Sequence, residues 1–400
     1  MNILFYNDIP FNPLFGGIER VTDIIAKGLL AYDKRYKIYY IFNKVSNPVM
    51  LHYDFPAKTI ELPYDGGLGE HKNIDYFLKV LEDYNIDIVV NQRGASSWCN
   101  PAMKRVTSAK VVSVIHSIVD YELIRSLYLH RNSYNKSLLG YVKYRLKRAC
   151  PNLLKIYVRG KIVPKLEAHY RELVEISDAV VVLSKQYIND LKAYSDISKT
   201  NVYAISNPNT FESSLVDFST KNKTILFVGR LDPVEKVPMR LLQIWRKIYK
   251  KHHDWSLVIV GSGPAEQQMK EYVNKYNLLR VSFEGSRSNV EDYYKQSSVL
   301  CLTSNFEGWP MALTEGMTFG CLPICFKSFG SASEIIDDGE NGCIIPAFNL
   351  KQYARSLSEV MSDDKKRFAL GKAAQEKVKQ FSAENIVKQW DELFHKLVEC

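Results

Sequence analysis

Short apolar runs alternate along this chain with segments of helical spacing, and the whole pattern runs twice. The first pass predicts strands at Asn2–Tyr6, Tyr36–Phe42, Thr59–Leu62, Ile86–Asn91, Val111–His116, Ala179–Leu183 and Val202–Ile205. Between them lie helices with an apolar face at Val21, Ile24, Ile25 and Leu29, over Ile74–Tyr84, and from Lys185. After the turn-rich stretch Ser206-Asn207-Pro208-Asn209-Thr210 the pattern restarts, with strands at Thr224–Val228, Trp255–Val260, Val281–Glu284, Val299–Thr303, Leu322–Phe326 and Cys343–Ile345. Such alternation predicts α/β architecture: mostly parallel sheets with helices on both faces. A length of 400 residues exceeds one ordinary core. The expectation is therefore two doubly wound domains, 1–207 and 208–380, and a closing amphipathic helix within 381–400 carrying Ile386, Trp390, Leu393, Phe394 and Leu397.

In open parallel sheets, ligands collect beyond the C-terminal ends of the strands. Several suggestive groups fall at such ends. Gly16 and Gly17 follow the first strand, and His116 closes the fifth. Gly229-Arg230-Leu231-Asp232 follows the first strand of the second pass, with Lys236 six residues after Arg230. Gly261-Ser262-Gly263 and Gly285-Ser286-Arg287 follow the next two strands. The stretch Asn305 to Pro323 then reads as loop, helix start and strand: Glu307 lies in the loop, Gly308 and Trp309 follow, Pro310 begins the first turn, Met311 and Ala312 come next, and Glu315 lies one turn inside. A helix N-terminus offers unpaired backbone amides to an anion. Arginine grips phosphate through paired N–H bonds and lysine supplies a compact charge. Two carboxylates beside them would accept hydrogen bonds from hydroxyls, so the set suits a nucleotide-sugar. Each feature also has a plainer reading. An acid near a helix start is favoured by the helix dipole alone, glycines serve tight strand–helix turns, and surface cations are usually only solvated.

Taken in order, Gly-Gly-x-Glu, the strand-end His, Gly-Arg-Leu-Asp with a later Lys, Gly-x-Gly, and Glu307 and Glu315 with a following Gly-x-x-Pro resemble glycosyltransferase family 4. That resemblance implies the GT-B fold, two Rossmann-like domains facing across a cleft with the last helix returning to the first. It also implies a retaining, metal-independent transfer of a hexose-type sugar from a nucleoside diphosphate to a hydroxyl acceptor. In its terms Arg230 and Lys236 hold the diphosphate, Glu307 meets the transferred sugar, and Glu315 meets the ribose. Amides from Gly308 to Ala312 meet sugar and phosphate, Gly17 closes the donor site, and His116 lies near the sugar. Gly261, Gly285 and Arg287 complete the donor-binding set, and Gly16 belongs to the acceptor side. No cofactor is expected, and no Asp-x-Asp pair occurs to bind a metal. Two departures stand out: Val237 follows Lys236 where the family usually has Gly, and Gly330-Ser331-Ala332-Ser333 replaces a commoner Gly-Gly.

Charge is uneven. The net +9 resides largely in the first half, and Leu123 to Leu166 holds eleven basic residues and no acidic one. Interleaved with Tyr and Leu, this segment suits an anionic membrane face, with Lys143, Arg145, Lys147 and Arg148 as its densest run. It lies in the half where the family binds its acceptor, so the expected partner is a lipid-linked or oligosaccharide acceptor in bacterial surface polysaccharide assembly; nucleic acid is not expected. Seven cysteines without a Cys-x-x-Cys read as buried free thiols of a reducing compartment. No signal peptide is evident, so the protein is expected in the cytoplasm, peripheral on the inner membrane face. Two rivals stand beside this reading: a nucleotide-sugar epimerase on the same fold and a non-enzymatic polyanion-binding protein.

Overall fold

The computed structural model describes residues 1–46, 51–94, 99–105, 108–132, 151–212 and 216–399. The chain divides into two compact units, one formed by Met1–Thr210 with Ala383–Cys400 and the other by Phe211–Ser382.

The first unit carries strands β1 (Asn2–Asn7), β2 (Lys37–Phe42), β3 (Lys58–Glu61), β4 (Ile88–Asn91), β5 (Lys110–Ile115), β6 (Ala179–Val182) and β7 (Asn201–Ala204). Its helices are α1 (Gly17–Tyr32), α2 (His71–Asp83), α3 (Asn100–Met103), α4 (Tyr121–Asn132), α5 (Pro151–Ile176) and α6 (Lys185–Lys192). The strands pair in the order β3-β2-β1-β4-β5-β6-β7, all parallel. Residues of β4 and β6 are buried throughout, which is why they read as unbroken apolar runs: a parallel strand is covered on both faces. Leu4, Tyr6, Val89 and Val111 of the sheet pack against Ile74, Phe77 and Leu81 of α2.

The second unit contains β8 (Asn222–Val228), α7 (Met239–Ile248), β9 (Ser256–Val260), α8 (Glu266–Lys275), β10 (Val281–Gly285), α9 (Val290–Gln296) and β11 (Ser297–Cys301). It continues with α10 (Met311–Thr318), β12 (Leu322–Lys327), α11 (Ala332–Ile335), β13 (Cys343–Pro346), α12 (Leu350–Ser362) and α13 (Asp364–Val378). Its sheet is also parallel, ordered β10-β9-β8-β11-β12-β13. The final helix, α14 (Ala383–Glu399), packs on α1 of the first unit. There Gly28 leaves room that Val387 fills, since a Cβ at Gly28 would lie 2.3 Å from the Val387 Cγ2. Tyr36 donates a hydrogen bond to Asp391 at 2.5 Å.

Two expectations shift in detail. The strand foreseen at Val299–Thr303 is β11, two residues earlier, and Thr303 is a buried loop residue. Ser297 and Ser298 hid the strand's start; Ser298 satisfies its hydroxyl on the Asn222 carbonyl at 2.7 Å. Pro310 precedes the helix instead of opening its first turn, with ψ at 87° and α10 starting at Met311. Cys99, Cys301, Cys321 and Cys325 are buried free thiols and Cys343 is half-buried. Among the described residues no helix is long and apolar enough to cross a membrane.

Candidate functional site: two strand-end rims

Each sheet has one point where strand order reverses: between β1 and β4 in the first unit, and between β8 and β11 in the second. At such a point the neighbouring loops leave in opposite directions and open a crevice beyond the strand ends. Lys236 and Glu307 follow the strands that flank the second of these points, and Gly16 and Gly17 follow β1 at the first, while His116, Gly261 and Arg287 follow strands further along each sheet.

In the second unit the loops after β8, β9 and β10 are laced together. Gly229 N donates to Val260 O at 3.0 Å, Leu231 N to Ser262 O at 2.8 Å, and Gly261 N to Gly285 O at 2.7 Å. Gly261 has φ of +134°, and a Cβ there would stand 2.0 Å from the Gly229 carbonyl oxygen. Only glycine permits that approach. The loop after β8 then turns back on Asp232, whose carboxylate accepts from the amides of Val234 at 2.8 Å and Glu235 at 2.6 Å. This turn delivers Lys236 to the loop after β11, where its Nζ meets Glu307 Oε2 at 2.5 Å. Glu307 is 6% exposed, and its other oxygen accepts from Ser304 Oγ at 2.7 Å. A carboxylate removed from water needs such partners, and here a cation and a hydroxyl supply them.

Arg240 and Asn305 clamp the same junction. Arg240 donates to Thr303 O at 3.0 Å and Asn305 Oδ1 at 2.7 Å, while Asn305 Nδ2 donates to Val234 O at 2.5 Å. Val237 lies in the left-handed region, φ +42°. Its amide donates to Asp232 O at 2.9 Å and its carbonyl accepts from Thr303 Oγ1 at 3.1 Å. Val237 thus adopts a backbone that glycine would take without strain.

Beyond Glu307, the amides of Gly308, Met311 and Ala312 have no acceptor among the described residues. The first turn of a helix leaves such donors unpaired, and here they sit next in sequence to the Lys236–Glu307 pair. Trp309 and Glu315 already hold protein partners. The Trp309 ring packs edge-on against Phe381, with centroids 4.9 Å apart. Glu315 is buried at 3% exposure and accepts from Tyr294 OH at 2.8 Å. Arg230 is 60% exposed and pairs with Glu235 at 2.8 Å. Arg287 meets Glu284 at 3.5 Å, at the mouth of the loop that follows Gly285.

The first unit's rim is built from other groups. Gly16 is extended, φ −166°, and Gly17 opens α1. Glu19, in the first turn, is buried and accepts from Asn7 Nδ2 at 2.8 Å. Arg93, just past β4, pairs with Asp8, just past β1, at 2.7 Å. His116, just past β5, shares a 2.5 Å hydrogen bond with Gln92. Burial first, and then the Arg93 guanidinium, push His116 down to about 4, so its imidazole is neutral at physiological pH.

The second-unit residues Arg240, Ser304, Asn305 and Tyr294 and the first-unit residues Thr22, Gln92 and Arg93 were not singled out from sequence. Arg240 lies four residues after Lys236, at the start of α7. Gln92 had only its place at a strand end. Lys143, Arg145, Lys147 and Arg148 lie outside the described residues. Among the described residues no three His, Cys, Asp or Glu side chains converge as a metal would require.

Residues 210–377 match the family of glycosyl transferases group 1. The amylovoran biosynthesis glycosyltransferase AmsD of Erwinia amylovora is 31% identical over 227 residues, covering 55% of this chain and 63% of AmsD. An N-acetyl-D-galactosaminyltransferase of Campylobacter jejuni, named for a diphospho-undecaprenol-linked substrate, is 29% identical over 201 residues, 50% of this chain and 56% of its own. The chain thus spans little more than half the length of these relatives. Among solved structures, the lipopolysaccharide outer core galactosyltransferase WaaB superposes with a TM-score of 0.71 at 19% identity, over 99% of this chain and 100% of that one. Anabaena HepE with UDP and glucose gives 0.70 at 17%, over 99% and 100%. The protein therefore has the two-domain, Rossmann-like GT-B fold.

Proposed function

We propose that this protein is a glycosyltransferase of family 4 type that moves a hexose-type sugar from a nucleoside diphosphate to a hydroxyl, with retention of configuration and without a metal. One observation carries the proposal: at the second unit's strand-order reversal Lys236 pairs with Glu307, and the open amides of Gly308, Met311 and Ala312 follow Glu307 in sequence. Lys236 and Arg230 would neutralise the departing diphosphate, and the amides would add fixed dipoles to it. Each cation now holds a carboxylate in place, Glu307 and Glu235 respectively. On donor binding Glu307 would exchange its lysine contact for sugar hydroxyls. Glu315, Gly261, Gly285 and Arg287 would complete the nucleotide end.

The acceptor reading rests on relatives and on α5. AmsD is named for amylovoran biosynthesis and the Campylobacter enzyme for an undecaprenol-linked glycan, so the acceptor proposed here is a lipid-linked intermediate of bacterial surface polysaccharide. On α5, Leu153, Ile156 and Tyr157 are 67%, 68% and 52% exposed. They share one face with Gly160, at helical spacing, with exposed Arg159 and Lys161 flanking it. An apolar ridge between cations suits peripheral attachment to an anionic leaflet, where a cytoplasmic enzyme would meet its acceptor.

The experiment is a thermal-unfolding screen of UDP-, GDP- and ADP-sugars, followed by turnover of the protective donor. A ligand at 100 times its dissociation constant raises stability by about 2.7 kcal/mol. Glu307→Ala and Arg230→Ala should abolish transfer in a folded protein. Full turnover in either variant would overturn the site assignment; protection by no nucleotide-sugar would overturn the function.

A further inference from the structure

The hydrogen bonds around His116 have only one consistent direction. Thr22, on α1, lies 2.9 Å from the Ile18 carbonyl. A carbonyl cannot donate, so the hydroxyl proton of Thr22 is committed there. Its oxygen can then only accept from Gln92, whose side-chain nitrogen stands 3.0 Å away. The Gln92 amide is thereby oriented: its NH₂ faces Thr22 and its oxygen faces His116, 2.5 Å from Nε2. An oxygen without a proton requires a proton on the nitrogen it faces. Thr22 and Gln92 are 0% and 3% exposed, so solvent is poorly placed to reverse the order.

We infer that Thr22 and Gln92 are positioning residues that hold His116 as the Nε2–H tautomer, leaving Nδ1 as a lone-pair acceptor for a ligand hydroxyl. Nδ1 has no partner among the described residues, and the ring is half-buried at the end of β5. Thus the relay reaches from the first turns of α1, through the loop after β4, to the loop after β5. It ends on a group that can accept a hydrogen bond but not donate one at that nitrogen. A sugar hydroxyl has the matching donor; a bare phosphate oxygen does not. The hydroxyl ligand rests on the proposed function, whereas the tautomer does not.

Nitrogen-15 NMR of the full-length, histidine-labelled chain tests both. Two-bond proton–nitrogen correlations distinguish the tautomers, and His116→Gln assigns the signal. The expected spectrum shows a single Nε2–H species with a slowly exchanging ring proton. Thr22→Val and Gln92→Leu should lose that slow exchange and bring in the Nδ1–H form. Thr22→Ser should retain the wild-type pattern, which a purely structural role for the threonine methyl would not predict. A wild-type Nδ1–H signal, or unchanged spectra in both Thr22→Val and Gln92→Leu, overturns the relay. Adding UDP-glucose, or whichever donor the screen selects, should move the Nδ1 resonance. A locked tautomer that ignores every nucleotide-sugar overturns the reading of this rim as a sugar site while the relay stands.

Discussion

Val237 offers a test in which the sign of a stability difference reports on a single backbone angle. At ordinary positions, glycine is worse than alanine by about 0.5–1 kcal/mol, because the unfolded chain has more freedom to lose. The left-handed region reverses this, since a Cβ costs roughly 1–2 kcal/mol there. Val237 has φ +42° and is held there from both sides, its amide on Asp232 O at 2.9 Å and its carbonyl on Thr303 Oγ1 at 3.1 Å and Arg240 N at 3.1 Å. Val237→Ala and Val237→Gly both lose the half-buried methyls, so packing largely cancels between them. What is left is the relief of strain less the entropy handicap, about 1 kcal/mol in favour of glycine. In a unit of this size that is roughly 2–4 °C in Tm. Urea and thermal unfolding of the two variants, followed through the second unit's tryptophans, measure it. Should Val237→Ala prove as stable as Val237→Gly, or more so, the turn delivering Lys236 is not left-handed and the account of its geometry fails.

Three further outcomes are expected. Tyr294→Phe removes a hydrogen bond to a buried carboxylate and should cost about 1–3 kcal/mol by urea unfolding; no measurable loss would mean Glu315 does not depend on that phenol. His116 has its folded pKa lowered from 6.5 to about 4, so the unfolded chain binds the extra proton between those values. Stability should be complete above pH 6.5 and fall towards pH 4, by at most about 3 kcal/mol for a half-buried ring; His116→Gln should flatten that limb of the pH–stability curve, and an equally steep limb would refute the cause. Leu153→Glu with Ile156→Glu should release the protein from phosphatidylserine-containing vesicles in a sedimentation assay, and undiminished pelleting would end the membrane proposal for α5.

The sheets were legible because a strand covered on both faces writes itself as a continuous apolar run, as in β4 and β6. Where polar residues are buried the signal fails, and Ser297 and Ser298 displaced the expected start of β11. Candidate groups could be found by their positions at strand ends, but not by their partners. Lys236 and Glu307 are 71 residues apart, and nothing in their spacing says that they touch. Thr22, Gln92 and His116 lie on three segments that only the order of strands brings together. The direction of their hydrogen bonds is a property of atoms, so composition and periodicity are blind to it. Val237 was visible as a departure from a glycine, and the structure supplies the angle that gives the departure a cost.

The route of the chain has a practical corollary. The polypeptide leaves its first unit at Thr210 and re-enters it at Ala383, so one unit is host and the other guest. The guest is a contiguous span that a pair of primers can excise. The host is not: a clone stopped at Thr210 would expose the groove beside Gly28 and strand the Tyr36 phenol without Asp391. Whoever wishes to study the host alone must splice its two ends across the excision, and a plain truncation should be expected to aggregate.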